Sequence, residues 1–175
     1  MTAQTIVVGV VAVKKKLSNP WIDHAWAPHA VLDGVPEASP WTMLSRQGDD
    51  EIWYVGPGEI VLRVNETGHY RDNLAAERPA VWVALRMSEE GTLSITQVSV
   101  DPYEGEGYAD MASELVDRVP MPARLAEEVA AYIEAHHVET PFFKRKRDRH
   151  GGGGLEQFGV GHPLHRRGEP GEGSR

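Results

Sequence analysis

"AVWVALRMSEEGTLSITQVSV", residues 80–100, sets two apolar runs on either side of Ser-Glu-Glu-Gly. Val81, Val83 and Leu85 recur every second residue in the first run, as Leu93 and Ile95 do in the second. A period of two marks strands with one buried face. The short glycine-ended connection predicts an antiparallel hairpin. The alternation slips at Val98 and Val100, as an extra residue in the second strand would make it do. The stretch therefore argues for a fold built on antiparallel pairing.

Working outward, Thr5–Lys16 reads as a first strand, because valine and isoleucine dominate the run from Ile6 to Val13. That run is too short to span a bilayer. Its basic cluster, Lys14–Lys16, follows it, the reverse of a secretory signal. His24–Asp33 is a second strand, and Pro28 inside it predicts an edge strand, a bulge or two pieces. Residues 34–40, "GVPEASP", read as a loop. Asp50–Val55 and Glu59–Asn65 flank Gly56-Pro57-Gly58, which predicts a second hairpin. Residues 102–114 read as a loop with at most one helical turn, and Leu115–Val119 as a short strand. Leu125, Val129, Tyr132, Ile133 and His136 recur at helical spacing and predict a helix over Pro122–His137, ended by Pro141. The expected fold is α+β: a mainly antiparallel sheet or open barrel packed by one C-terminal helix. Residues 1–149 form a single domain in this reading. Residues 150–175, rich in glycine, proline and arginine, form a disordered tail.

The chain of 175 residues is 41% hydrophobic and 25% charged, proportions that suit a soluble globular domain. It has no cysteine, which removes disulfides, thiolate nucleophiles and cysteine-bound metals and fits a cytoplasmic protein. Of the net charge of −8, the basic run 144–149 contributes +4 and the tail about zero, so the preceding body carries −12. An acidic body with one basic patch argues against nucleic acid as a partner, and no segment is long and apolar enough to place the chain in a membrane.

Two stretches are candidate contact sites. "NPWIDHAWAPHAVLDG", residues 19–34, brings together Trp21, His24, Trp26 and His29. Side-chain alternation puts histidines five apart on opposite faces of a strand, so they share no metal unless Pro28 breaks the parity. They form either an aromatic and imidazole recognition surface or a set of cover and rim residues. "FFKRKRDR", residues 142–149, joins Phe142 and Phe143 to Lys144, Arg145, Lys146 and Arg147. It suits docking to an acidic surface, or else a solvated exit from the domain. His136 and His137 sit where a helix end favours positive charge. The acidic series Asp101, Glu104, Glu106, Asp110, Glu114 and Asp117 lacks the ligand spacing of a calcium loop and reads as a solvated face. No glycine-rich phosphate loop lies between a strand and a helix, and no serine has a nucleophile-elbow setting. No catalytic residue, metal or cofactor is implied, and the chain reads as a binding protein before an enzyme.

The segments "LSNPWIDHAWAPHAVLDG", "GHYRDNLAAERPAVWVALR", "VDPYEGEGYAD" and "VPMPARLAEEVAAYIEAHHVETPFFKRKR" together resemble an uncharacterised proteobacterial family. Its members often lie beside genes for molybdenum-dependent formate dehydrogenase and its maturation, and some are labelled molybdopterin-guanine dinucleotide biosynthesis proteins. The likeness covers about residues 5 to 147. It implies an accessory protein that assists maturation or assembly of such a dehydrogenase by contact with a subunit or maturation factor. The alternative is a nucleotide- or pterin-cofactor-binding protein or enzyme, for which a cleft joining Trp, His, Tyr70 and Arg71 would speak.

Overall fold

The structure is a computed structural model that describes residues 2–139. Among the described residues seven strands make two antiparallel sheets. In chain order the elements are β1 (Gln4–Lys16), β2 (His24–Leu32), β3 (Thr42–Gln47), β4 (Asp50–Leu62), α1 (Thr67–Ala75), β5 (Ala80–Met87), β6 (Leu93–Ser99), α2 (Pro102–Ala109), β7 (Glu114–Pro120) and α3 (Ala123–His136). A 3-10 turn, Val64–Glu66, leads into α1. The first sheet has the order β2-β1-β4-β3 and the second β6-β5-β7. β2 lies beside β7 and β4 beside β6, without the hydrogen bonds that would close a barrel. The antiparallel α+β expectation holds, with two open sheets and three α-helices among the described residues in place of one sheet and one helix.

The core lies between the sheets. β1 contributes Ile6, Val8 and Val10, β4 Ile60 and Leu62, β5 Val81, Val83 and Leu85, and α3 Leu125, Val129 and Tyr132. Each such side chain removed from water contributes about 1.5–3 kcal/mol before the cost of ordering the chain. Tyr132 also ties α3 to the first sheet, its hydroxyl donating to the Thr2 carbonyl at 2.7 Å and lying 3.2 Å from that of Leu62. A smaller cluster, Val11, Val13 and Ile52 with Ala27, Ala30 and Leu32, lies on the other face of the first sheet.

Four bulges interrupt the pairing, one of them at Leu44 in β3, and the other three bear on the sequence pattern. In β6, Gln97 pairs with Ala84 and Ile95 with Leu85, so Thr96 is the extra residue behind the slip at Val98. In β2, Pro28 pairs with Ala12 and Ala30 with Val11, which leaves His29 without a cross-strand partner. The third bulge corrects the sequence reading. Asp50–Leu62 is one continuous strand, not a hairpin about Gly56-Pro57-Gly58: Val10 pairs with Gly56 and Val11 with Tyr54. Proline is tolerated here because β3 pairs only with Asp50 to Tyr54, so β4 is an edge at Pro57. Gly56 takes a φ of 150° that disfavours a side chain. At Gly58 a Cβ would meet Val98 Cγ2 at 2.7 Å and Val10 Cγ2 at 2.9 Å.

Tyr54 carries a testable oddity. It is fully buried, and its hydroxyl has no hydrogen-bond partner; burial also pushes its pKa up. A buried hydroxyl without a partner costs about 1–3 kcal/mol. Tyr54→Phe is therefore expected to leave stability unchanged or raise it by about 1 kcal/mol in urea denaturation, whereas a loss above about 1 kcal/mol would show that the hydroxyl is satisfied.

Candidate functional site

The far end of the first sheet holds most of the aromatic residues singled out above. The β1–β2 connection is closed by the Leu17 N–H donating to the Asp23 carbonyl at 2.8 Å, and inside it the Trp21 N–H donates to Asn19 Oδ1 at 2.9 Å. These bonds turn Trp21 outward. It is 90% exposed, with Ile22 at 55% beside it. Tryptophan is seldom left in water to this extent, since its ring is the largest apolar surface a side chain offers.

Cross-strand pairing assembles the rest. Arg46 pairs with Glu51, Glu51 with Lys14 and Lys14 with Trp26, a row across all four strands. In this row Arg46 Nη2 donates to Glu51 Oε1 at 3.0 Å and the Lys14 ammonium stands 5.9 Å from the Trp26 ring. Two rows on, Met43 stands opposite Trp53, whose Nε1 donates to Glu51 Oε2 at 3.0 Å. Trp41 meets Trp26 edge-on at 5.8 Å, and its φ of 68° is unusual for a bulky residue. Trp41, Met43 and Leu44 are exposed. Four of the five tryptophans thus belong to one end of one sheet.

Within the first candidate set, Trp26 packs partly on the core and Trp21 is free in water. His24 is exposed opposite Lys16, and His29 is exposed at the bulge. No group of three His, Asp or Glu side chains among the described residues has the geometry to hold a metal. The second set, Phe142, Phe143, Lys144, Arg145, Lys146 and Arg147, lies outside the described residues, as does the 150–175 tail. Trp41 and Met43 were missed because β3 carries no strand pattern, all six of its side chains being exposed; Trp53 lies in the expected strand Asp50–Val55, and only the pairing of β4 with β3 brings it to this end.

A cleft joining the tryptophans to Tyr70 and Arg71 does not form. Tyr70 is buried; its hydroxyl accepts from the Arg63 N–H at 3.0 Å and donates to Glu66 Oε2 at 2.9 Å, and burial drives its pKa up. Arg71 turns to His137 and Glu139. These groups follow Leu62, which pairs with Gln4, whereas Trp26 pairs with Lys14. The intervening length of β1 is roughly 30 Å.

The acidic series is also more than a solvated face. Asp101 is buried and caps α2, its Oδ1 accepting from the Tyr103 N–H at 2.9 Å. Its Oδ2 lies 2.8 Å from His69 Nδ1. A carboxylate only accepts, so Nδ1 donates and Nε2 is the open nitrogen. The His69 ring packs against Tyr103 at a tilt of 50°, with centroids 4.5 Å apart. Ser99 does not complete a triad, because its hydroxyl donates to Glu104 Oε2 and accepts from the Asp101 N–H. Glu104 also holds Arg63 at 3.1 Å and Tyr108 at 3.3 Å; burial first, then Glu104, pushes the Tyr108 pKa up to about 12. Glu114 is bonded to Arg86 and Thr96. Glu106, Asp110 and Asp117 are exposed, as expected of the series.

A family model described as "Protein of unknown function (DUF3305)" matches residues 7–147, most of the chain, and the protein belongs to that family. No curated protein and no solved structure matches it. No helix among the described residues is long and apolar enough to cross a membrane.

Proposed function

We propose that this chain is a non-catalytic accessory protein of the cytoplasm that works by protein–protein contact, with the tryptophan-bearing end of the first sheet as its contact surface. The observation that carries this reading is Trp21, 90% exposed on a loop that its own backbone bonds hold in shape. Large aromatic side chains on ordered backbone are the usual anchors of interfaces, because they gain much buried area for little lost freedom. Ile22, Trp41, Met43 and Leu44 add exposed apolar area, and Lys14, Glu51 and Arg46 supply a polar rim. The partner we propose is a subunit or maturation factor of a molybdenum-dependent formate dehydrogenase. What supports it is the likeness over residues 5 to 147 noted above.

The test is capture of the immature dehydrogenase subunits by the tagged full chain, wild type against Trp21→Ala. A central anchor is worth about 2 kcal/mol or more, so capture should fall more than tenfold. Thermal stability should stay as it was, because the ring touches little of the domain. Equal capture by both proteins would remove this surface from the proposal. Failure of the wild type to retain any dehydrogenase component would remove the proposed partner.

A further inference from the structure

We infer that the outer face of the second sheet carries a binding site for a phosphate ester of a planar nitrogen heterocycle, a nucleotide in the simplest case. The site is independent of the tryptophan surface and goes beyond the role proposed above.

The inference starts from the arginines. Residues 2–139 contain seven. Arg46, Arg63, Arg71, Arg86 and Arg124 each have a carboxylate partner within the domain. Arg78 and Arg118 have none among the described residues, although the body is strongly acidic. These two, far apart in sequence, line the same pair of adjoining clefts.

One cleft, of about 430 Å³, has Arg78 and Arg118 as its sole charged lining, with Pro79, Pro120 and Met121 as apolar walls. The other, of about 280 Å³, runs between α1 and α2, with Trp82 and Tyr103 as aromatic lining and Asp72 and Glu106 as acids. The two have Arg78, Ala80 and Arg118 in common. The larger has a size that suits small organic molecules, and the smaller extends it.

The chemistry of the two halves differs, and that selects the ligand. Paired guanidiniums recognise phosphate or carboxylate through their fork of donors. The half without acids is where an anion is welcome. In the other half an anion meets Asp72 and Glu106, while a ring bearing N–H donors meets two acceptors and two aromatic side chains. A molecule with phosphate at one end and such a ring at the other fits both halves.

The aromatic wall and the backbone that carries the arginines are held in place, which lowers the cost of binding. Arg118 is the cross-strand partner of Trp82, so both stand on the outer face of the sheet. Tyr103 is fixed from behind by the His69 ring and by the Asp101 cap of its helix. Arg78 precedes Ala80, whose backbone is bonded at both N–H and C=O by Asn73.

The experiment is calorimetric titration of the full chain with GMP, AMP, guanosine and inorganic phosphate. The expected result is saturable binding of at least one nucleotide, tenfold or more tighter than guanosine or phosphate alone. Binding should weaken as salt rises, and fall at least tenfold in Arg78→Ala and in Arg118→Ala but not in Arg124→Ala. Both cleft arginines are exposed, so the variants should fold, and a melting curve checks this. No binding of either nucleotide at millimolar concentration, or equal binding by the Arg78→Ala, Arg118→Ala double variant, would overturn the inference. Phosphate binding as tightly as GMP and AMP would overturn the part assigned to the ring.

Discussion

Gly105→Ala should destabilise the domain by more than about 3 kcal/mol, although alanine is the better helix former by about 1 kcal/mol. Gly105 is buried in α2, and a Cβ there would lie 2.0 Å from Cγ of Trp82 and 2.2 Å from Cδ1. The ring cannot step aside cheaply. Trp82 sits in the central strand of its sheet, paired with Ser99 on one side and Arg118 on the other. The helix must therefore lift, and with it the bonds from Glu104 to Ser99 and Arg63. Gly107, in the same helix, has nothing within 4 Å of an added Cβ. Gly107→Ala should be neutral or stabilise by up to about 1 kcal/mol. Opposite signs two residues apart separate packing from propensity. If the clash is the cause, Trp82→Ala should recover part of the loss, a coupling of at least 1 kcal/mol in a double-mutant cycle. Urea denaturation of the four proteins checks this, and equal stability of Gly105→Ala and wild type would mean that α2 does not lie on Trp82.

The same glycine explains why the sequence understated this part of the fold. A helix is recognised by an apolar stripe, and α3 shows one in Leu125, Val129 and Tyr132. In α2 the buried position is a glycine, because the apolar group belongs to the strand beneath. The readable signal was Asp101-Pro102, an N-cap followed by proline at the first helical position. α1 is hidden differently: its buried residues are Thr67, Tyr70 and Asn73, polar side chains that bond where leucine would pack. Strand β4 was cut in two because Gly-Pro-Gly means a turn wherever the chain is free to turn. Only its pairing with β1 holds it extended, with the bulge one residue before it at Val55. The site was legible to a similar degree. Trp21 and Trp26 stood out by residue type, but the exposure of one and the partial burial of the other depend on the loop bonds and on Trp41. That Arg78 and Arg118, alone among the described arginines, lack acidic partners is a property of the assembled sheets, and no local pattern carries it.

Asn73→Ala is expected to cost about 3–5 kcal/mol, a large share of a small domain's stability. The Asn73 side chain is buried and fully used. Its Nδ2 donates to the carbonyls of Ala80 and Val100, each at 2.8 Å, and its Oδ1 accepts from the Ala80 N–H at 3.0 Å. Ala80 opens β5 and Val100 follows β6, so one amide joins α1 to both strands. Alanine strands two carbonyls and one N–H in a buried setting, at about 1–3 kcal/mol each, less what an entering water returns. Asn73→Asp tells whether the donors matter. The carboxylate can still accept from the Ala80 N–H, but it faces two carbonyl oxygens that also only accept. Both that repulsion and burial favour the protonated acid, so the folded-state pKa of the new group lies above its unfolded value of about 3.9. Protons then bind more tightly to the folded form. The variant should be most stable below the unfolded pKa and lose stability as pH rises through the folded one. The wild type has no titrating group at this position and should lack that component. Urea midpoints for both proteins between pH 3 and pH 8 make the comparison. A variant as stable as wild type at pH 8 would mean that the amide donates to neither carbonyl, and α1 would need another anchor to the sheet.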